Sequence, residues 1–170
     1  MTERLHRLMR PACGWLLAAA VAGCGVEPSS RADLSAQAEA ARQPAELQQA
    51  DLRIHASLAP TAALNATVAA RYGVEPGRDV HLLLVGVRRG AAADEASVPA
   101  RVQARARDLR GVWQDIDLHE VRSEGFIDYV GTLRVAPPDT LAFEVRVHAE
   151  GAPAPAILRF SRDVFAPSGG

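Results

Sequence analysis

The sequence predicts an all-β fold: a single antiparallel β-sandwich, immunoglobulin-like in architecture, with about seven strands and one short helix. Three observations predict it. From residue 51 onward apolar and polar residues alternate with period two, the pattern of half-buried strands. Glycine and proline turn signals interrupt that alternation at short intervals. Only one stretch of the domain, residues 66–72, carries the signature of a helix.

The first strand is Leu52, Ile54, Ala56 and Leu58, alternating with Arg53, His55 and Ser57. Asn65 then offers an N-cap for a helix over Ala66–Tyr72, and Gly73 supplies the residue that ends it in the left-handed region. Val80 to Val87 is apolar except for His81 and Gly86, so it reads as a central strand. Val98 to Ala106 alternates with Gln103, Arg101 and Arg105, and Ile116 and Leu118 alternate with Asp115 and Asp117. Further strands follow at 126–135, 141–149 and 157–165. Gly90, Gly111, Gly125, Pro137-Pro138-Asp139 and Gly151 separate them.

The N-terminus carries a different message. Arg4, Arg7 and Arg10 precede an apolar run, Ala12 to Ala22, which is too short to span a bilayer and has the layout of a secretory signal. The run ends in Val21-Ala22-Gly23-Cys24, which resembles the lipobox of a bacterial lipoprotein, with the Cys24 thiol as acceptor of the diacylglycerol. Residues 1–23 are expected to be removed, and Gly25 after the cysteine implies sorting to the outer membrane. The other cysteine, Cys13, falls in the leader, so the exported domain is expected to hold no disulfide. Residues 24–50, poor in large apolar side chains, are expected to form a flexible tether. The domain then occupies 51–166, with a disordered tail at 167–170.

All 19 basic residues are arginine, against 20 acids. Without the leader the balance is −3, with no clustered basic excess of the kind nucleic-acid binding needs. No Gly-x-Ser-x-Gly elbow, free cysteine or phosphate-binding glycine loop is present, so no enzyme activity and no cofactor beyond the acyl anchor are expected.

Two constellations invite chemistry. Asp115, Asp117 and His119 share one face if they lie on one strand, where two carboxylates and an imidazole suit a divalent metal. The same residues also fit a charge ladder around Gly111, with Arg107 facing Asp115, Arg105 facing Asp117 and Gln103 facing His119. In that register the basic stripe Arg101, Arg105 and Arg107 is largely neutralised. Arg88-Arg89, placed at a hairpin tip, is a candidate partner contact. His148 is expected to oppose Asp128 if the strands flanking Pro137-Pro138 form a hairpin, which also sets Leu133 against Phe143 and Tyr129 against Val147.

Several segments together resemble the proteobacterial domain-of-unknown-function family 4426 over roughly residues 52–166. They are the first strand, the helix ending Ala70-Arg71-Tyr72-Gly73-Val74, and the Leu82–Val87 strand leading to Arg88-Arg89-Gly90. Glu120-Val121-Arg122, the Ile127–Val135 strand and Arg159-Phe160 complete the set. The resemblance implies an exported β-rich domain and no established activity. The reading that follows is a lipid-anchored, non-enzymatic envelope module with a possible protein partner. The alternative is a periplasmic ligand or metal binder using the Asp115–His119 strand.

Overall fold

The computed structural model describes residues 43–91 and 94–165. The leader, the lipobox residues Val21, Ala22 and Gly23, Cys24 itself, and the 167–170 tail lie outside the described residues. Two antiparallel sheets stack as a sandwich. The larger has six strands: β1 (Ala45–Gln49), β2 (Leu52–Pro60), β3 (Val80–Arg89), β8 (Phe126–Arg134) and β7 (His119–Ser123) in that order, with β4 (Ala96–Ser97) pairing the end of β3. The smaller has four, in the order β10 (Ala156–Val164), β9 (Asp139–Ala149), β5 (Ala100–Arg107) and β6 (Trp113–Ile116).

Alternation places one side chain in two on the inner face. Ile54, Leu83, Val85 and Val87 from the large sheet meet Phe143, Val145 and Val147 from the small one, all buried. Strand β3 is apolar on both sides because both sides are covered. Leu83, Val85 and Val87 face the core, while Leu82 packs on the opposite face with Val74, Val130, Leu64 and Tyr72. The covering segment includes a 3-10 turn (Thr61–Ala63) and α1 (Ala66–Tyr72). Asn65 caps α1 by accepting from the Val68 N–H at 2.9 Å, and Gly73 ends it at φ 63°. The buried Thr61 hydroxyl ties the 3-10 turn to the β3 approach. It donates to Val80 O at 2.9 Å and accepts from Gly77 N–H at 2.9 Å.

Four expectations change. The domain begins earlier than residue 51: Ala45 and Leu47 of β1 pair with Ala56 and Ile54 and pack against the core, inside the segment read as tether. Two apolar side chains suffice there because β1 is an edge strand with one half-buried face. Second, the strands flanking Pro137-Pro138 do not pair. β8 lies in the large sheet and β9 in the small one, so Leu133 and Phe143, like Tyr129 and Val147, belong to opposite sheets. His148 pairs with Arg101 and not with Asp128.

Third, Asp115 and His119 do not share a strand. The chain leaves β6 after Ile116, crosses to the large sheet through Asp117-Leu118, and resumes as β7 at His119. Gly131 permits the crossing, because a Cβ there would lie 2.5 Å from Asp117 O. Fourth, the β5–β6 register is offset by two residues from the expected one: Arg105 faces Asp115 and Arg107 faces Trp113.

Candidate functional site

The outer face of the four-stranded sheet follows from that register. One row across β6, β5, β9 and β10 reads Trp113, Arg107, Ala142, Ser161, and the next reads Asp115, Arg105, Glu144, Arg159. Beyond them come Gln103, Arg146 and Ile157, then Arg101 and His148. The strands thus project Arg101, Arg105, Arg107, Arg146 and Arg159 from one exposed surface.

Glu144 neutralises two of the five. Its carboxylate receives Arg159 at 2.8 Å and Arg105 at 2.8 Å. The Arg159 hydrogen bond, with the one from Arg105, holds the Glu144 carboxyl below its usual range against the opposing pull of burial. Arg105 and Arg107 also lie over the Trp113 ring, 4.2 and 5.2 Å from its centroid. Among the described residues Arg101, Arg107 and Arg146 have no carboxylate within ion-pair distance. Small side chains at Ala142 and Ser161 leave a shallow groove of about 350 Å³, bounded by Trp113, Arg107, Glu144 and Arg159. Guanidinium groups around a small-residue floor can receive a planar or tetrahedral oxyanion through paired hydrogen bonds.

The β5–β6 turn extends this face. Asp108 organises it: its carboxylate accepts from Val112 N–H at 2.8 Å and from Arg110 Nε at 2.9 Å, and Gly111 sits at φ 85°. The Val112 bond, then the Arg110 bond, holds the Asp108 carboxyl below its ordinary value. Leu109 N–H donates to Asp139 Oδ1 at 3.2 Å, fixing the turn to the start of β9.

The other candidates take different places. Arg88 is not at a hairpin tip but within β3, and it is buried. Its guanidinium donates to Ile127 O and to Asp128 Oδ1, each at 2.9 Å, and lies 5.2 Å over Phe126. Arg89 bridges Asp51 at 3.2 Å and donates to Glu150 O at 2.9 Å. Both are consumed by the fold, which corrects their reading as partner contacts. Beside Arg88, the His55 ring rests on Gly86, whose missing side chain makes the room. Burial, reinforced by Arg88 and opposed by Asp128, Glu46 and Glu95, pushes the His55 pKa down. Asp115, Asp117 and His119 are all exposed and distributed over two sheets and their connection. Among the described residues no group of three His, Cys, Asp or Glu side chains is placed to hold a metal ion.

The basic stripe was visible in the sequence, but the expected ladder discounted it. Trp113 joins that stripe only through the observed register, which pairs it with Arg107. Its signal was an exposed-face position on a strand whose opposite face carries Ile116.

Among solved structures, a DUF4426 family protein of Pseudomonas aeruginosa PAO1 (PA0388) is 22% identical. It matches 74% of this chain and 97% of its own with a TM-score of 0.64. FetP of uropathogenic Escherichia coli strain F11, in a copper-bound variant, is 8% identical. It matches 74% of this chain and 94% of its own with a TM-score of 0.52. At these identities both likenesses concern the fold. No curated protein matches the chain. The family model described as domain of unknown function (DUF4426) matches residues 47–167, from within β1 to beyond the end of β10, and the chain belongs to that family.

Proposed function

We propose that the protein is a lipid-anchored member of the bacterial cell envelope, held through Cys24 on the periplasmic face of the outer membrane. It acts there as a non-enzymatic interaction module whose working surface is the outer face of the four-stranded sheet. One observation carries the choice of surface. Arg101, Arg107 and Arg146 stand there without carboxylate partners among the described residues, and Arg107 lies beside a Trp113 that keeps 44% of its surface exposed. Exposed tryptophan among arginines is the composition of binding hot spots, and a charge excess left open favours a partner's carboxylates or phosphates. The lipobox and the apolar run before it support the anchor, and the lack of a nucleophile–base motif supports a binding role.

The test is crosslinking in intact membranes with wild type and with Arg101→Gln/Arg107→Gln/Arg146→Gln. The reading expects one partner recovered reproducibly by the wild type and lost from the variant, with melting temperature unchanged. Equal recovery by both moves the contact elsewhere. Mass spectrometry of wild type against Cys24→Ser decides the anchor separately: the acyl mass should be present in the first and missing from the second.

A further inference from the structure

Five large apolar side chains are conspicuously exposed among the described residues, and four of them gather at one end of the small sheet. Leu109 (73% exposed), Val112 (57%) and Trp113 (44%) belong to the β5–β6 turn and its exit. Phe165 (72%) follows Val164, which pairs with Asp139, the residue that holds Leu109 N–H. Arginines flank the cluster: Arg105 and Arg107 over the Trp113 ring, and Arg110 at the tip of the turn. Asp108 pairs with Arg110 at 2.8 Å and Glu144 with Arg105 at 2.8 Å, and the Asp139 carboxylate holds Leu109 N–H, so Arg107 is the arginine of the three without a carboxylate partner among the described residues.

We infer that this end of the sandwich rests on an anionic phospholipid bilayer. The Leu109–Trp113 turn enters the headgroup layer and Arg107 meets lipid phosphate, with Arg105 and Arg110 reaching it by exchanging Glu144 and Asp108 for phosphate. An exposed Leu, Val, Phe and Trp cluster bordered by Arg matches the layered chemistry of a bilayer surface. Apolar side chains reach the acyl boundary, indole prefers the interface, and guanidinium pairs with phosphate. A soluble oxyanion would use the arginines and leave the apolar side chains in water.

The path of the chain points the same way. Arg162, near the end of β10, donates to Gln43 O at 2.6 Å, so the described chain enters the domain at the end that carries the turn. Cys24 lies 19 residues upstream of Gln43. That length spans at most about 65 Å. An anchor there keeps this end within that distance of the membrane and raises the effective concentration of a weak second contact. The inference takes the presence of a bilayer from the envelope reading, while the contact itself rests on the turn.

The experiment uses protein purified from membranes and mixed with vesicles of phosphatidylethanolamine and phosphatidylglycerol brominated on its acyl chains. The readout is quenching of Trp113 emission, with Trp113→Phe giving the background, including any from Trp15. Strong quenching is expected, weaker on vesicles of phosphatidylcholine brominated in the same way. Leu109→Ser/Val112→Ser should reduce it about fivefold or more with the melting temperature unchanged, since neither side chain belongs to the core. Arg107→Gln/Arg110→Gln should remove the preference for the anionic lipid. An unquenched Trp113 in wild type on the anionic vesicles overturns the inference. So does a Trp113 change induced equally by soluble glycerol phosphate, which indicates a free-anion site. Concentration-dependent dimers abolished by the Ser pair also overturn it, since a second copy then covers the turn. Failure of the anchor shows independently, as wild type of unacylated mass, while quenching with added vesicles still reports on the turn.

Discussion

Replacing Gly86 with alanine should destabilise the domain, and removing the His55 ring should reverse the loss. His55 and Gly86 are direct partners across β2 and β3, and an added Cβ at residue 86 would overlap the imidazole. The Gly86 backbone is ordinary strand, so alanine itself gains about 0.5–1 kcal/mol over glycine. Overpacking costs about 1–3 kcal/mol, and the ring cannot slide freely because Arg88 is fixed beside it by Ile127 O and Asp128. The net loss for Gly86→Ala is then up to about 2.5 kcal/mol, centred near 1 kcal/mol or roughly 3–5 °C in Tm for a domain of this size. His55→Ala alone loses about 1–2 kcal/mol of ring packing. In the double variant the alanine occupies space the ring has vacated, so the two losses should fail to add by about 1.5–2.5 kcal/mol. Urea and thermal unfolding of the four proteins at about pH 8, where imidazole is neutral in folded and unfolded chains, measures this coupling. A coupling below about 0.5 kcal/mol would refute the argument that Gly86 exists to seat His55.

Two further outcomes follow from buried polar groups. Burial lowers the folded-state pKa of both His55 and His81 from the ordinary value of 6.5, with Arg88 adding to the effect at His55 and Asp79 opposing it at His81. Below that pH the unfolded chain binds more protons than the folded one, so stability should be intact above about pH 6.5 and fall as the medium acidifies. Urea midpoints measured from about pH 8 down to about pH 5 check the sign, and His55→Ala should flatten part of the slope. Thr61→Val should cost about 1–3 kcal/mol, because it strands the half-buried Gly77 N–H and leaves Val80 O without its hydroxyl donor. Thermal unfolding reads this directly, and a loss under about 0.5 kcal/mol would show that water replaces the hydroxyl.

The sequence disclosed faces more readily than partners. Period-two alternation fixes which side chains turn inward, and a two-residue offset preserves every face while changing every pair. Ala104, Ala106 and Ile116 are buried in the observed register as they would be in the expected one, yet Arg107 meets Trp113 in place of Asp115. The same degeneracy concealed the fate of β8 and β9, since a hairpin and a crossing between sheets leave identical alternation around Pro137-Pro138. Local signals fared better. Asn65 and Gly73 bracket α1 because capping depends on residues within one helical turn. The apolar run of β3, broken only by His81 and Gly86, marks a central strand, although nothing local announces that α1 and its flanking turn cover its second face. Arg88 misled because a charged dipeptide beside a glycine resembles a solvated turn. Its burial depends on Asp128 and Ile127 O, some 40 residues away in the chain.

The edges of the sandwich sharpen the choice of contact surface. An edge strand recruits a partner strand when it is long, flat and apolar. β7 is short and carries Glu120 and Arg122, paired with each other at 2.6 Å, with Glu120 also accepting from the Tyr129 hydroxyl at 3.4 Å. β6 has four residues. β10 is the longest edge, but Arg162 binds Gln43 O there and β1 packs alongside. β1, the other edge of the large sheet, has five residues, so each edge among the described residues is short, charged or covered, and strand addition loses its template. What remains open is the arginine face with its Trp113 and the turn that continues it. Charged and aromatic side chains already ordered by β5, β6 and β9 make such a surface competent to bind without reorganising the backbone.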